Sequence, residues 1–162
     1  MHPALILQLL FLLMLANGTP VIAKKLLGAR FSYPLDGNLR FVDRRRLLGP
    51  SKTVRGVVLA VLVTTVGAPV VGLSWITGLL VGSCAMAGDL VSSFTKRRLD
   101  MPPSSRASGL DQIPEALLPL LACRGLLSLT AADIALCVGL FVIGEVVLSR
   151  LLYRVRLRDR PY

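Results

Sequence analysis

The sequence predicts an all-α integral membrane protein with five transmembrane helices. Hydrophobic residues make up 54% of its 162 positions, which is more apolar surface than a soluble domain of this length can bury. The apolar residues form five runs, each close to or longer than the roughly 18 to 20 residues that span the hydrocarbon core. The predicted helices cover about residues 4–23, 57–73, 74–94, 113–129 and 131–152, within a single membrane-embedded domain of residues 1–162.

The positive charges predict the orientation of these helices. The formal net charge is +10, and its lysines and arginines lie in the segments Lys24–Arg55, Lys96–Arg106 and Arg150–Arg160, between alternate apolar runs. Only Arg124 lies elsewhere, where its long side chain can snorkel to the outer surface. The positive-inside rule makes the three segments cytoplasmic, with the N-terminus outside and the C-terminus inside, as an odd number of helices requires. We therefore expect a multi-pass protein of the plasma (inner) membrane and no nucleic-acid binding.

The first apolar run is predicted to remain in the protein as an uncleaved helix. The start, Met1-His2-Pro3, lacks the positively charged region that opens a signal peptide. The positive residues Lys24 and Lys25 follow the apolar run instead of preceding it. This order of charge and apolar residues favours a first helix whose N-terminus is outside.

The third helix carries a stripe of polar residues near its end. Asp89, Ser92, Ser93 and Lys96 are spaced i, i+3, i+4 and i+7, so they share one face of a helix. A carboxylate, two hydroxyls and an ammonium are costly to expose to lipid, so the stripe should face the bundle interior or a water-filled cavity. Such a stripe suits a metal ion and a chain of phosphates.

The first of two predicted functional cytoplasmic loops precedes the second helix. It contains the segment Leu48–Gly56, in which Gly and Pro shape the backbone beside Lys52, two hydroxyls including Thr53, and Arg55. These groups can donate hydrogen bonds to phosphate oxygens. The segment is not a Walker P-loop, because Ser51 rather than Gly precedes the lysine and no strand precedes the segment. The alternative is a basic loop that binds anionic lipid headgroups.

The second cytoplasmic loop leads into the fourth helix through two acidic residues. Asp111 can either cap that helix or serve as an oxygen ligand, with Pro114 tolerated in the first turn. Glu115 lies one turn further on the same face, so both acids can point at one ion. Glu145 on the fifth helix is about as deep as Asp89, either as a neutral acid hydrogen-bonded in the bundle or as a partner of the Asp89 site.

Together the cytoplasmic ends hold oxygen ligands and cations in the proportion that phosphate chemistry needs. Mg²⁺ prefers one or two carboxylates plus substrate phosphates, and a phosphoryl group in transfer needs cations around it. The composition therefore favours nucleotide or phospholipid chemistry with a Mg²⁺ cofactor. The candidate oxygen ligands are Asp36, Asp89, Asp111 and Glu115, and the candidate phosphate partners are Lys52, Arg55, Lys96, Arg97 and Arg98.

Three motifs resemble those of the CTP-dependent lipid cytidylyltransferases, most closely the CDP-archaeol synthases and their bacterial relatives. The motifs are Leu48–Gly56, Gly88–Arg98 and Leu110-Asp111-Gln112. The resemblance implies an integral membrane enzyme that condenses CTP with a lipid phosphate, giving a CDP-activated lipid and pyrophosphate, with a divalent cation such as Mg²⁺. The lipid would be archaetidic- or phosphatidic-acid-like, and a homodimer is one option for the assembly.

The resemblance also assigns roles to residues of the three motifs. Asp89 would bind the metal ion, Lys96 and Arg97 would hold phosphates, and the loop cations would help to seat the nucleotide or lipid phosphate. The predicted catalytic residues are Asp89, Lys96 and Asp111, the predicted metal ligands are Asp89, Asp111 and Glu115, and the predicted substrate-binding residues are Lys52, Thr53, Arg55, Ser92, Ser93, Arg97 and Arg98.

One position departs from the family pattern. The archaeal motif continues Leu-Asp-Gln-Leu-Asp-Phe, whereas the position of its second acid is Pro114 here and Glu115 follows. Either Glu115 replaces the missing ligand, or Asp89 and Asp111 bind the metal alone, or this branch has changed its substrate or activity.

Two other functions compete with cytidylyl transfer. A CDP-alcohol phosphotransferase would need Asp-Gly followed by Ala-Arg, but Asn38-Leu39-Arg40 follows Asp36-Gly37 and does not continue that pattern. A small non-enzymatic transporter or scaffold would use the buried charges for packing or for an ion path.

Overall fold

Five α-helices make up the part of the chain described by the structure, a computed structural model covering residues 2–102 and 109–154, with side chains described as far as Ser149. In chain order they are α1 (Pro3–Leu27), α2 (Val54–Val70), α3 (Trp75–Arg98), α4 (Gln112–Ala122) and α5 (Ala131–Arg154). The all-α fold predicted from the sequence is confirmed. The predicted positions of Arg106 and of residues 155–162 lie outside the described residues.

Helix α3 is the central element, because it packs against α1, α2 and α4. Its glycines allow this close approach. A Cβ atom added at Gly78 would lie 2.5 Å from the Thr64 carbonyl oxygen of α2, and one added at Gly82 would lie 3.1 Å from the Val61 Cα. Small residues let helix backbones approach in a bilayer, where van der Waals packing rather than hydrophobicity drives helix association.

The opposite ends of the bundle have different chemistry. At one end, the His2 backbone N–H donates to Asp133 Oδ1 at 3.0 Å, and Thr130 and Asp133 cap α5 reciprocally. The α2–α3 turn lies at this end too, since Gln8 of α1 donates to the Val71 carbonyl at 2.6 Å. The first loop, the end of α3 and the start of α4 form the other end, where the candidate site lies.

Three helices are long and apolar enough to cross a membrane: Pro3–Leu27, Trp75–Arg98 and the Ala131–Ser149 part of α5. Helix α2 is apolar but has 17 residues. Helix α4 has 11 residues, or roughly 16 Å, about half of the hydrocarbon thickness. The structure thus supports a membrane protein of five helices with three clear candidate spans, while the number of spans and the orientation stay predictions.

The predicted fourth helix, residues 113–129, is wrong in its second half. Helix α4 ends at Ala122, and the chain then forms turns in which Leu127 N–H donates to the Cys123 carbonyl and Leu129 N–H to the Arg124 carbonyl. Ser128 has a φ of 51°, which ends any helical path. Apolar composition alone suggested a continuous helix, but Gly125 and these turn conformations interrupt it.

Candidate functional site

The site lies where α3 and α4 come into backbone contact at Gly88. A Cβ atom added at Gly88 would collide with the Pro114 carbonyl oxygen and would lie 2.7 Å from the Glu115 nitrogen. The missing side chain at Gly88 therefore lets the two backbones touch. As a consequence Asp89 and Glu115 lie close enough for their carboxyl groups to interact electrostatically.

The Asp89 carboxylate also binds Lys52 of the first loop. Lys52 Nζ lies 2.5 Å from Asp89 Oδ1 and 2.6 Å from Oδ2, so the ammonium contacts both oxygens. Glu115 is only 6% exposed, and the carboxyl group of Glu145 on α5 is close enough to interact with it electrostatically. Neighbouring carboxyl groups disfavour each other's ionised form unless a proton or cation lies between them, and Lys52 supplies such a cation at Asp89.

A second ion pair lies nearer the end of α3. Lys96 Nζ contacts Asp111 Oδ1 at 2.7 Å, and Lys96 is only 8% exposed. Asp111 occupies the N-cap position of α4, but its side chain makes no capping hydrogen bond. Its carboxylate thus pairs with Lys96 of α3 instead of capping α4, and its role as an oxygen ligand stays a prediction.

The hydroxyl groups of the predicted stripe are also inside the bundle. Ser92 and Ser93 are buried, and Ser92 Oγ donates to the Asp89 carbonyl at 2.9 Å. Together with buried Lys96 and half-buried Asp89, they confirm that this face of α3 points inward. Thr53 is the N-cap of α2, where its Oγ1 accepts a hydrogen bond from Gly56 N–H at 3.2 Å.

The first loop positions Lys52 by main-chain hydrogen bonds. Leu35 N–H donates to the Lys52 carbonyl at 2.8 Å, and Val54 N–H donates to the Tyr33 carbonyl at 3.1 Å. These bonds flank an isolated antiparallel bridge between Pro34 and Thr53. These hydrogen bonds therefore fix the backbone on both sides of Lys52, whose side chain extends to Asp89 on α3.

Asp36 has a different environment from the one expected of an oxygen ligand. Its Oδ1 accepts from Arg46 at 2.9 Å and from Asn38 N–H at 3.1 Å, and its Oδ2 accepts from the N–H groups of Leu48 and Gly49. Burial alone would raise the pKa of Asp36, but these hydrogen bonds outweigh it and hold the pKa below the usual value. The Asp-Gly-Asn turn was the sequence signal for this role, which sequence reasoning missed.

The three predicted phosphate-binding arginines have different surroundings. Arg55 donates to the carbonyl oxygens of Gly28 and Arg30 at the end of α1. Arg98 stacks between Phe41 and Phe94, 4.9 and 4.8 Å from their ring centres, and so joins the first loop to α3.

Arg97 lies beside Gly49, in the turn that precedes Lys52. It is 7% exposed, and its Nη1 would lie 3.9 Å from a Cβ added at Gly49. Its Nη2 donates to the Pro102 carbonyl at 3.0 Å. The phosphate-binding roles of Arg55, Arg97 and Arg98 stay predictions.

The carboxylates fit a small divalent cation only in part. Asp89 and Glu115 offer the two carboxyl groups that Mg²⁺ accepts when phosphates and water complete its shell. Within residues 2–102 and 109–154, however, no three His, Cys, Asp or Glu side chains are grouped closely enough to bind a metal ion as they stand. The set of Asp89, Asp111 and Glu115 therefore stays a prediction, and substrate phosphates would have to supply further ligands.

The fold and the buried ion pairs define an integral membrane protein with a polar centre inside its helical bundle. Comparison with known proteins gives the particular family. Residues 3–162 match the CarS-like family, described as CDP-archaeol synthase. The chain belongs to this family.

Relatives and a solved structure agree with the family. The chain is 34% identical over 157 residues to the CDP-archaeol synthase of Sulfurisphaera tokodaii, covering 92% of this chain and 90% of the relative. It is 34% identical over 152 residues to that of Pyrobaculum calidifontis, covering 91% and 90%. A structure described as an intramembrane enzyme for archaeal membrane lipid biosynthesis has a TM-score of 0.66 and 26% identity, covering 85% of this chain and 90% of that one.

Proposed function

We propose that this protein transfers a cytidylyl group from CTP to a membrane lipid phosphate, giving a CDP-activated lipid and pyrophosphate for phospholipid synthesis. The family and its relatives support the reaction class. One observation in the chain itself carries the proposal: the Asp89 carboxylate is held by a cation, Lys52, and lies close to a buried acid, Glu115. A non-enzymatic transporter or scaffold is not favoured, because the sequence matches a family described as an enzyme.

The proposed reaction needs positioning and charge neutralisation rather than a protein nucleophile. A lipid phosphate oxygen attacks the α-phosphorus of CTP, the bond to the bridging oxygen of the β-phosphate breaks, and pyrophosphate leaves with that oxygen. Lys52, Lys96 and Arg97 would hold the phosphate oxygens, whose negative charge shifts during transfer. When bound, Mg²⁺ would add Lewis-acid polarisation of these oxygens.

The metal ligands proposed here are Asp89 and Glu115, joined by Asp111. Glu115 takes the place of the second acid that Pro114 displaces from the family motif. The position of Glu115 supports this replacement, since its backbone lies against Gly88 and its carboxyl group is close enough to interact with that of Asp89. We further propose that the active site faces the cytoplasm at the plasma membrane, where CTP is available.

The decisive experiment uses purified protein in detergent, CTP labelled in the cytosine ring, and two lipid phosphates, one with ether-linked isoprenoid chains and one with ester-linked acyl chains. We expect label in solvent-extractable lipid with at least one of them, and loss of that label on chelation of Mg²⁺. The better lipid identifies the substrate class. Failure of a folded protein with both lipids would contradict the proposed reaction.

The same assay tests the site. Asp89→Asn should lower the rate by about a hundredfold or more, because it removes a metal ligand while keeping the shape. Asp100→Asn is the matched control, since Asp100 is 79% exposed at the end of α3 and pairs only loosely with Arg45 at 3.3 Å. An Asp89→Asn enzyme as active as the Asp100→Asn enzyme would exclude Asp89 as a ligand.

A further inference from the structure

Asp36 is a buried carboxylate with every oxygen occupied by the first loop itself. It is 4% exposed, and four donors converge on it: Arg46 and Asn38 N–H on Oδ1, and Leu48 N–H and Gly49 N–H on Oδ2. These distances range from 2.9 to 3.2 Å. A carboxylate that accepts so many hydrogen bonds remains ionised and holds its donors in fixed positions.

The bonds of Asp36 close the loop at the turn that presents Lys52. Gly49 has a φ of 95°, which favours glycine, and its carbonyl accepts from Lys52 N–H at 3.3 Å. On the other side, Leu35, the neighbour of Asp36, donates to the Lys52 carbonyl at 2.8 Å. Asp36 thus fixes the turn before Lys52, and the residue next to it fixes the Lys52 carbonyl.

The same turn adjoins a second cation of the proposed site. Arg97 lies within 3.9 Å of the space beside the Gly49 α-carbon. Movement of Gly49 would therefore move the turn away from Arg97 and would also move Lys52 away from Asp89. The hydrogen-bond partners of Asp36 include neither Asp89 nor Arg97, so any effect of Asp36 on the site would pass through the turn.

We propose that Asp36 is a positioning residue that holds Lys52 at the Asp89 carboxylate and so organises the phosphate-binding cations. This inference deepens the proposed function and rests on it for the effect on catalysis. The positioning itself is a property of the protein without substrate. It is therefore measurable even where the reaction is not.

The first test measures the reactivity of the Lys52 amine in full-length protein without substrate. Brief acylation followed by mass spectrometry gives the rate at Lys52, normalised to Lys25, which is exposed at the end of α1. In Asp36→Asn the amide places an NH₂ group against N–H donors, so the turn should loosen and release Lys52 from Asp89. We expect acylation of Lys52 to be about fivefold faster than in the wild type.

Asp43→Asn is the matched control for the acylation test. Asp43 is in the same loop and pairs with Arg98 at 3.1 Å, away from Lys52, and its side chain is 34% exposed. Its removal should change Lys52 acylation by less than about twofold. Equal acylation in Asp36→Asn and wild type, or equal increases in the two variants, would overturn the proposal.

Steady-state kinetics provide the second test. With Lys52 mispositioned, the KM for CTP should rise about tenfold in Asp36→Asn while kcat changes by less than about threefold, as expected for loss of uniform binding. If Asp36→Asn does not fold, Asp36→Glu takes its place, because it keeps the charge but shifts the turn by one methylene. If Lys52 is acylated faster in Asp36→Asn but the wild type has no cytidylyltransferase activity, the positioning role is upheld and the proposed function is rejected.

Discussion

At the scale of single residues, the pairing of Lys52 with Asp89 links metal binding to phosphate binding. The ammonium contacts both oxygens of the carboxylate that is the proposed metal ligand. A divalent cation at Asp89 would have to displace this ammonium, and the displaced Lys52 would then be free to bind a phosphate oxygen. Because each event favours the other, the cation and the nucleotide should bind cooperatively.

This competition predicts the behaviour of Lys52→Met. Without nucleotide, the variant should bind Mn²⁺, a spectroscopic substitute for Mg²⁺, about tenfold more tightly than wild type, because the competing ammonium is gone. Electron paramagnetic resonance of free Mn²⁺ measures the affinity directly. Lys25→Met removes an equivalent charge far from the site and should leave the affinity unchanged. Weaker Mn²⁺ binding in Lys52→Met would show that Lys52 does not compete for Asp89.

The part of the candidate site that depends on residue spacing along one helix could be predicted from the sequence. The helical repeat placed Asp89, Ser92, Ser93 and Lys96 on one face, and the structure buries that face in the bundle. The contacts of Arg98 with Phe41 and Phe94 depend on where the first loop folds, which no local pattern encodes. For Asp36 the Asp-Gly-Asn turn was a local signal, but the donors Arg46, Leu48 and Gly49 come from more distant parts of the loop.

At the scale of helices, α3 uses glycines on different faces for different neighbours. Gly78 and Gly82 lie against α2, whereas Gly88 lies against α4. At about 100° per residue, the six residues from Gly82 to Gly88 turn the helix by about 600°, so the two faces are about 120° apart. Helix α3 can therefore pack against α2 and α4 at the same time, with Asp89 next to the contact with α4.

The crossing at Gly88 predicts the effect of one added methyl group. Gly88→Ala would push α4 away from α3, because the new Cβ meets main-chain atoms of Pro114 and Glu115 that have no side-chain freedom to move. Separating Asp89 from Glu115 should lower kcat/KM by about tenfold or more, since misplacement by about 1 Å can cost a hundredfold. Enzyme assays at low temperature and thermal unfolding measure activity and stability separately.

Gly139→Ala provides the control on α5. A Cβ added at Gly139 meets nothing within 4 Å, so this variant should keep wild-type activity and stability. If Gly88→Ala also retained full activity, the close approach of α3 and α4 would not be needed for the proposed reaction.

Helix boundaries show the limit of composition as a guide. The apolar runs in the sequence located the five helices of the described residues, since burial in lipid or in the bundle requires long apolar segments. The end of α4 was missed, because Cys123–Leu129 is apolar enough for a helix but its backbone forms turns, with a positive φ at Ser128. Such turns depend on the path that joins α4 to the start of α5.

At the scale of the whole molecule, the helices separate a charged end from an end with few cations. The first loop, with Lys52, lies at the same end as Lys96 and Asp111, and this is the end where the sequence places its positive charge. The turns after α4 and the start of α5 lie toward the other end, where Asp133 contacts His2. The positive-inside rule then predicts a cytoplasmic site and an external α4–α5 connection.

Cysteine labelling in intact cells tests this orientation. Leu39 in the first loop is 63% exposed and Leu126 after α4 is 57% exposed, so Leu39→Cys and Leu126→Cys should be tolerated and reactive. A membrane-impermeant maleimide should label Leu126→Cys from outside and Leu39→Cys only after permeabilisation. The unsubstituted protein gives the background, since Cys123 and Cys137 are buried and Cys84 is partly buried. Labelling of Leu39→Cys in intact cells would place the site outside, where CTP is scarce, and would contradict both the charge rule and the proposed access of CTP from the cytoplasm.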